Sequence, residues 1–275
     1  MVKWIRAIIS YIIAISMLFP FLWMVSTSFK EPGKVFSFPI QLIPDPVKFD
    51  GYIYVWKASL IGVSFGTLYL NSIKIAAIVL VGTYFSCSIA AYAYAKINFW
   101  GRNVLFLLKI SSMMIPFQVI MLPTFMVYRH MGFIDTHISL WIHAFLGTAF
   151  GTFLLKQFFS AIPDELCEAA RIDGAGHARI YWSIAMPMIR PAIATLLTMT
   201  IISTWNDYES PLLFIRSPEL YTIPIGLKVM ADDVFRINYP GIMAGVVSSV
   251  IPILLLLVFF NKYIMKGFTF TGVKG

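Results

Sequence analysis

Long apolar stretches alternate with shorter polar ones along the chain. Six stand out, at roughly 7–25, 73–95, 104–127, 138–159, 190–212 and 242–261. Each is close to the 20 or so residues an α-helix needs to cross a bilayer. Within lipid the backbone must satisfy its own donors and acceptors, so these stretches predict helices rather than irregular chain. The first follows Lys3 and Arg6, as a secretion signal would. Its apolar run is too long for one and no small-residue cleavage pattern comes after it, so a retained span is expected. The pattern predicts an all-α polytopic membrane protein with six transmembrane helices.

Composition supports this. Charged residues make up 12% of the 275 positions and hydrophobic ones 59%, with a mean hydropathy of +0.80. A soluble domain carries about twice that charge. A soluble enzyme, a disordered chain and a secreted disulfide scaffold are all disfavoured. Cys87 and Cys167 fall in a span and a loop and are expected to be free thiols.

The net charge of +8 raises the question of a nucleic-acid partner. The distribution answers it. With the N-terminus inside, the inner segments hold twelve basic and four acidic residues, a net of +8; the outer segments hold eight and seven, a net of +1. This asymmetry places both termini in the cytoplasm and explains the basicity without nucleic acid. The larger outer loops are then 28–68 and 213–240. Trp23, Trp56, Trp141 and Trp205 lie near boundaries and suit an interfacial belt.

Two spans carry small residues four apart, Gly82, Ser86 and Ala90 in the second and Gly241, Gly245 and Ser249 in the sixth. They are candidate faces for close helix packing. The third span, in the run SMMIPFQVIMLPTF, contains Pro116 and Pro123. Each removes a backbone donor and predicts a kink.

The most informative stretch is the charged inner segment SAIPDELCEAARIDGAGHARIYWSIAMPMIRP, residues 160–191. Pro163 suits a first helical position, and Asp164 and Glu165 then fall in the first turn, where the helix dipole favours anions. Gly174 and Gly176 end this short helix, and a second helical stretch from His177 to Ala185 leads to Pro187. The predicted unit is a rigid helix–turn–helix block on the inner face. Three acids and one base on its first helix argue against a helix that merely lies on an anionic leaflet, and favour docking by another protein.

This segment resembles the EAA signature of permease subunits in binding-protein-dependent ABC importers: E-A-A, three residues, G, nine residues, I, one residue, L-P. Glu168, Ala169, Ala170, Gly174, Ile184 and Pro187 fall in register, with Met186 in place of the leucine. Stretches such as NSIKIA, GFIDT, LLKQFFSAIPDEL, TWNDYESPLLF and YTIPIGL extend the resemblance over nearly the whole chain. They point to the carbohydrate-uptake branch, near the second permease of maltose-type systems.

The resemblance implies a type I ABC importer permease fold in a bacterial or archaeal cell membrane. Residues 1–68 would form a first helix and outer loop, and 69–275 the shared transport core. It also implies a homologous second permease, two ATPase subunits and an external solute-binding protein, with ATP and Mg bound by the ATPases and no cofactor on this chain. The 160–187 block becomes the coupling helices, with Glu165, Glu168, Ala169, Ala170, Arg171, Asp173, Gly174, Ile184 and Pro187 at the ATPase contact. The C-terminal GVKG would reach the ATPases as well.

The chain has no G-x-x-x-x-G-K-[ST] loop, so energy must come from another subunit or an ion gradient. No metal spacing and no catalytic constellation stand out, and the chain is not expected to be an enzyme. Gln118 and the cluster Trp205, Asn206, Asp207, Tyr208 and Glu209 form a possible substrate path, because carboxylates within a span and flanking aromatics suit sugar hydroxyls and ring faces. His143 sits inside the fourth span as a packing residue or a proton relay. The alternative function is an ion-coupled secondary transporter, which would call for midplane charge pairs and related halves.

Overall fold

The computed structural model describes residues 2–57, 59–60, 62–232 and 238–269. The GVKG tail, Asp233 and Arg236 lie outside the described residues. Helices dominate. In chain order they are α1 (Val2–Ser28), α2 (Asp50–Lys57), α3 (Phe65–Lys96), α4 (Arg102–Ser111), α5 (Phe117–His130), α6 (Ile138–Trp141) and α7 (Ala149–Ser160). Then follow α8 (Asp164–Ile172), α9 (His177–Ile180), α10 (Met186–Met188), α11 (Arg190–Trp205), α12 (Glu209–Phe214), α13 (Ile223–Asp232) and α14 (Tyr239–Thr269). A two-residue antiparallel pairing joins Ser59 to Ser64 and Leu60 to Val63.

Four segments, Arg6–Ser28, Phe65–Lys96, Ile138–Ser160 and Tyr239–Phe259, are long and apolar enough to cross a membrane. Two bent pairs, α4 with α5 and α9–α10 with α11, bring the number to six if each pair is one span. The sequence pattern thus located the spans and the bend at Pro116, but not the interruptions at Gly147 and Ile189.

The third span breaks outright. The residue before a proline is pushed towards extended backbone, and Ile115 (ψ 114°) and Pro116 (ψ 145°) are both extended, so the two halves meet at 105°. Pro123, by contrast, lies within the helical run of α5. The fourth span is interrupted at Gly147, whose φ of +72° suits glycine, and restarts at Thr148. The threonine Oγ1 caps α7 by accepting from the Gly151 amide at 3.2 Å. The fifth span bends by 78° at Ile189, ahead of Pro191, and stops at Trp205 rather than near residue 212. Trp205 is buried and packs inside rather than joining an interfacial belt. Pro163 stands at the N-cap of α8 instead of its first turn.

The chain divides into two compact units, residues 1–69 with 223–254 and residues 70–222 with 255–275. In the first, helices touch at glycines. A side chain on Gly245 would meet Leu227 at 2.8 Å, and one on Gly241 would meet Tyr54 at 2.5 Å. Trp56, Phe65 and Tyr69 pack ring against ring beside them.

The second unit has its main core at the α8–α10 end. Cys87, Ala91, Tyr92, Leu155, Phe159, Ile180, Tyr181 and Leu196 are buried together there. A smaller cluster of Ile75, Val79, Leu140, Ala144, Phe214 and Ile215 lies elsewhere in this unit. The predicted small-residue face of α3 packs as expected at two positions. A side chain on Gly82 would meet the Phe145 ring at 2.9 Å, and Ser86 Oγ donates to the Ala144 carbonyl at 2.6 Å.

Candidate functional site: an exposed elbow and two clefts

The 160–187 block is a capped elbow. Asp164 and Glu165 occupy the first turn of α8 and Arg171 the last, each at the end where the helix dipole favours its charge. The helix closes on a Schellman turn: Gly174 N donates to Arg171 O at 3.0 Å and Ala175 N to Ala170 O at 2.8 Å, with Gly174 at φ +81°. Gly176 is the N-cap of α9. The second limb is helical as expected, but Tyr181–Ala185 is a π-turn carrying Ile184, and Met186–Met188 carries Pro187.

The block is tied down along one side and open on the other. Cys167 and Ile180 are buried in the core, and Ala170 is half-buried against it. Lys96, its side chain only 4% exposed, donates to the Ile162 carbonyl and to Asp164 Oδ1, both at 2.6 Å. That hydrogen bond and charge hold the Asp164 carboxyl below the usual carboxylate range. Glu165, Leu166, Glu168, Ala169, Arg171, Ile172 and Asp173 all face outward. Glu165, Glu168, Arg171 and Asp173 form no ion pair among the described residues. Ile172 is 87% exposed on a helix that also displays charges, a combination suited to a protein contact more than to water alone.

The candidate path residues part company. Gln118, beside the break at Pro116, donates to the Glu209 carboxylate at 3.2 and 3.4 Å. Asp207 and Glu209 line a cleft of about 310 Å³ with His143, Ser203, Ser210 and Thr222. Asp207 has a local task too: its Oδ1 accepts from Ser210 N at 3.1 Å and so starts α12. Trp205, Asn206 and Tyr208 line neither this cleft nor the next. The Asn206 amide turns back to the Ile202 carbonyl at 2.8 Å.

A second cleft of about 300 Å³ lies against Thr83, Thr148 and Thr200 and shares His143, Ser203 and Thr204 with the first. The two therefore adjoin, and His143 stands at the junction. The buried hydroxyls of Thr83 and Thr222 have no hydrogen-bond partner among the described residues. Sequence reasoning missed this row of hydroxyls. Its sign is the group Thr200, Ser203 and Thr204 in an otherwise apolar span. No group of three metal-ligating side chains occurs among the described residues.

Around the first cleft the loops are clasped. Asp135 accepts from the amides of Arg216 and Ser217 at 2.9 and 2.8 Å and from the Ser217 hydroxyl at 2.5 Å. These bonds, the Ser217 hydroxyl first, hold its carboxyl below the usual range. Asn71 donates to the carbonyls of Glu219 at 2.8 Å and Tyr221 at 3.0 Å, and His137 Nε2 lies 2.9 Å from Leu220 O.

Known proteins share this architecture. The chain is 33% identical to the arabinooligosaccharides transport system permease protein AraQ of Halalkalibacterium halodurans, over 99% of this chain and 97% of that one. It is 31% identical to the sn-glycerol-3-phosphate transport system permease protein UgpE of Yersinia pestis, over 91% and 90%. It is 30% identical to the galactooligosaccharides transport system permease protein GanQ of Bacillus subtilis, over 99% and 97%. A chain from the crystal structure of a bacterial ABC transporter involved in the import of the acidic polysaccharide alginate superposes with a TM-score of 0.86 at 27% identity, covering 95% of both chains. Residues 82–269 match the family model described as binding-protein-dependent transport system inner membrane component. With the relatives spanning its whole length and the family pattern covering its elbow and clefts, the chain belongs to this family, as a non-catalytic permease subunit embedded in the membrane.

Proposed function

We propose that the chain is one of two homologous permeases in an ABC importer for an oligosaccharide or a similar polyhydroxylated solute. An external binding protein delivers the solute, and two ATPase subunits bind ATP and Mg and drive alternating access. Both termini and the elbow face the cytoplasm. Residues 69–275 form the transport core and 1–68 an accessory helix and loop. The ATPase seats on the exposed face of Glu165, Glu168, Ala169, Arg171 and Asp173, while Ala170, Gly174, Ile184 and Pro187 shape the elbow behind it. Gln118, Asp207 and Glu209 border the solute path, with Trp205, Asn206 and Tyr208 supporting the break in the helix.

The observation that carries this reading is the elbow itself. A short helix, closed by a Schellman turn and anchored by a buried lysine side chain, presents charges that form no ion pair among the described residues and a nearly bare isoleucine. A rigid, self-complete element with an unsatisfied face suits a partner that pushes on it. The oligosaccharide specificity of two full-length relatives and the hydroxyl-lined clefts support the solute class.

The test is uptake of labelled arabino- and galacto-oligosaccharides into vesicles holding the assembled transporter and its binding protein. Uptake is expected to need internal ATP and to be lost in Glu168→Lys, with membrane insertion unchanged. Uptake that persists without ATP and follows an ion gradient overturns the reading in favour of a secondary transporter.

A further inference from the structure

Helix α3 carries three polar side chains four residues apart, Ser88, Tyr92 and Lys96, and all three grip the 160–187 block. Ser88 Oγ lies 2.7 Å from the Tyr181 hydroxyl. The Tyr92 hydroxyl donates to the His177 carbonyl at 3.4 Å. Lys96 holds Ile162 O and Asp164 Oδ1, each at 2.6 Å. At this spacing the three stand in a row along about 12 Å of helix. Lys96 therefore clamps the start of the elbow's first limb, and Tyr92 and Ser88 clamp its second. The Tyr92 ring also packs edge-on against the rings of Phe159 and Tyr181.

The same helix has a grip at its other end. Asn71 holds the carbonyls of Glu219 and Tyr221, next to Thr222, which lines the first cleft. From Asn71 to Lys96 is 25 residues, about 37 Å of helix, with no proline and no break. The covalent routes out of the elbow lack this continuity. The route through α7 meets the interruption at Gly147 and Thr148, and the route through α11 passes the 78° bend at Ile189 and ends at Trp205.

We infer that α3 is the rod that carries displacement of the elbow to the 217–222 stretch beside the cleft, with Lys96, Tyr92 and Ser88 as positioning residues at one end and Asn71 at the other. This rests on the elbow being where the ATPase acts. It assigns the coupling to side-chain grips on a neighbouring helix in addition to the chain connections of the elbow itself.

The experiment uses the assembled transporter in lipid vesicles, with Cys87 and Cys167 changed to Ser and spin labels on cysteines placed at Arg129 and Glu219. Trapping with MgATP and vanadate is expected to shift the distance between the labels. Lys96→Met and Asn71→Ala should each cut that shift to less than half while trapped nucleotide stays unchanged, and Lys96→Arg should restore most of it. A shift that survives both Lys96→Met and Asn71→Ala overturns the rod, as does a parent protein with no shift. If Lys96→Met does not accumulate, Asn71→Ala decides alone, since it leaves the elbow untouched. Glu168→Lys separates the two readings. If it abolishes the shift while the α3 variants do not, the elbow assignment stands and the rod falls; if it too leaves the shift intact, the elbow assignment fails.

Discussion

Gln118 and Glu209 join two helix restarts. Gln118 is the second residue of α5, just after the break at Pro116, and Glu209 is the first residue of α12, just after the break at Asn206–Tyr208. Their side chains meet at 3.2 Å. Two spans that cannot be continuous are thus fastened to each other where they fail.

That fastening is open to test. Glu209→Gln keeps an acceptor for the Gln118 amide, whereas Glu209→Ala leaves that amide without it. The pair is exposed, so its loss should cost about 0.5–1 kcal/mol. Vesicle uptake is expected to stay within about threefold in Glu209→Gln and to fall further in Glu209→Ala. Equal uptake in both variants would show that the contact does not matter to transport.

At Gly174 the backbone alone sets the outcome, because a side chain there would meet nothing within 4 Å. Gly174→Ala must hold φ near +81° against a penalty of about 1 kcal/mol. Gly174→Pro also removes the amide that donates to Arg171 O. ATP-driven uptake should drop modestly in the first and collapse in the second, with both proteins still inserted. Normal uptake by Gly174→Pro would count against a rigid elbow.

The Asp135 clasp should respond to acid. Its carboxyl is held below the usual range, so its contribution is fully present above the unfolded aspartate pKa of about 3.9 and is lost as pH falls through the lower folded value. Ser217→Ala removes the strongest of its hydrogen bonds and should move that loss to higher pH. Hydrogen exchange at the Arg216 and Ser217 amides, followed from pH 6 down to pH 3, reads the difference. Identical profiles for both proteins would refute it.

Gly51 faces backbone on two sides: an added Cβ would lie 2.7 Å from Pro240 O and 2.9 Å from Ser28 O. Neither atom can rotate away. Gly51→Ala should therefore destabilise the protein by about 1–3 kcal/mol. Gly33→Ala, where nothing lies within 4 Å, is the control. Melting temperature in detergent distinguishes them, and a Gly51→Ala protein that melts with the parent would show that three chain segments can separate more easily than their packing suggests.

Legibility in the sequence followed the range of the interactions. The elbow was readable because its signals are local: Pro163 before the helix, two acids in its first turn, Gly174 after it. Span positions were readable because hydropathy averages over twenty residues. The same averaging hid the stop at Trp205, since Leu212 and Leu213 carry the apolar signal past a turn made by Asp207 and Ser210. The break before α7 had only Gly147 and Thr148 to announce it. The α3 grips were invisible for another reason: Lys96 and Ile162 are 66 residues apart, and Ser88 and Tyr181 are 93 apart. On α3 the small residues Gly82, Ser86 and Ala90 stood out by their spacing, but the polar row Ser88, Tyr92 and Lys96 did not.

Cys167 is buried under the elbow at 4% exposure and Cys87 within α3 at 0%, and they are the two cysteines of the chain. The protein thereby carries its own seal indicator. An alkylating reagent reaches Cys167 only if the elbow parts from α3, so labelling at that one sulfur that stays as slow as at Cys87 during turnover shows the elbow and the helix beneath it travelling together in the unaltered transporter.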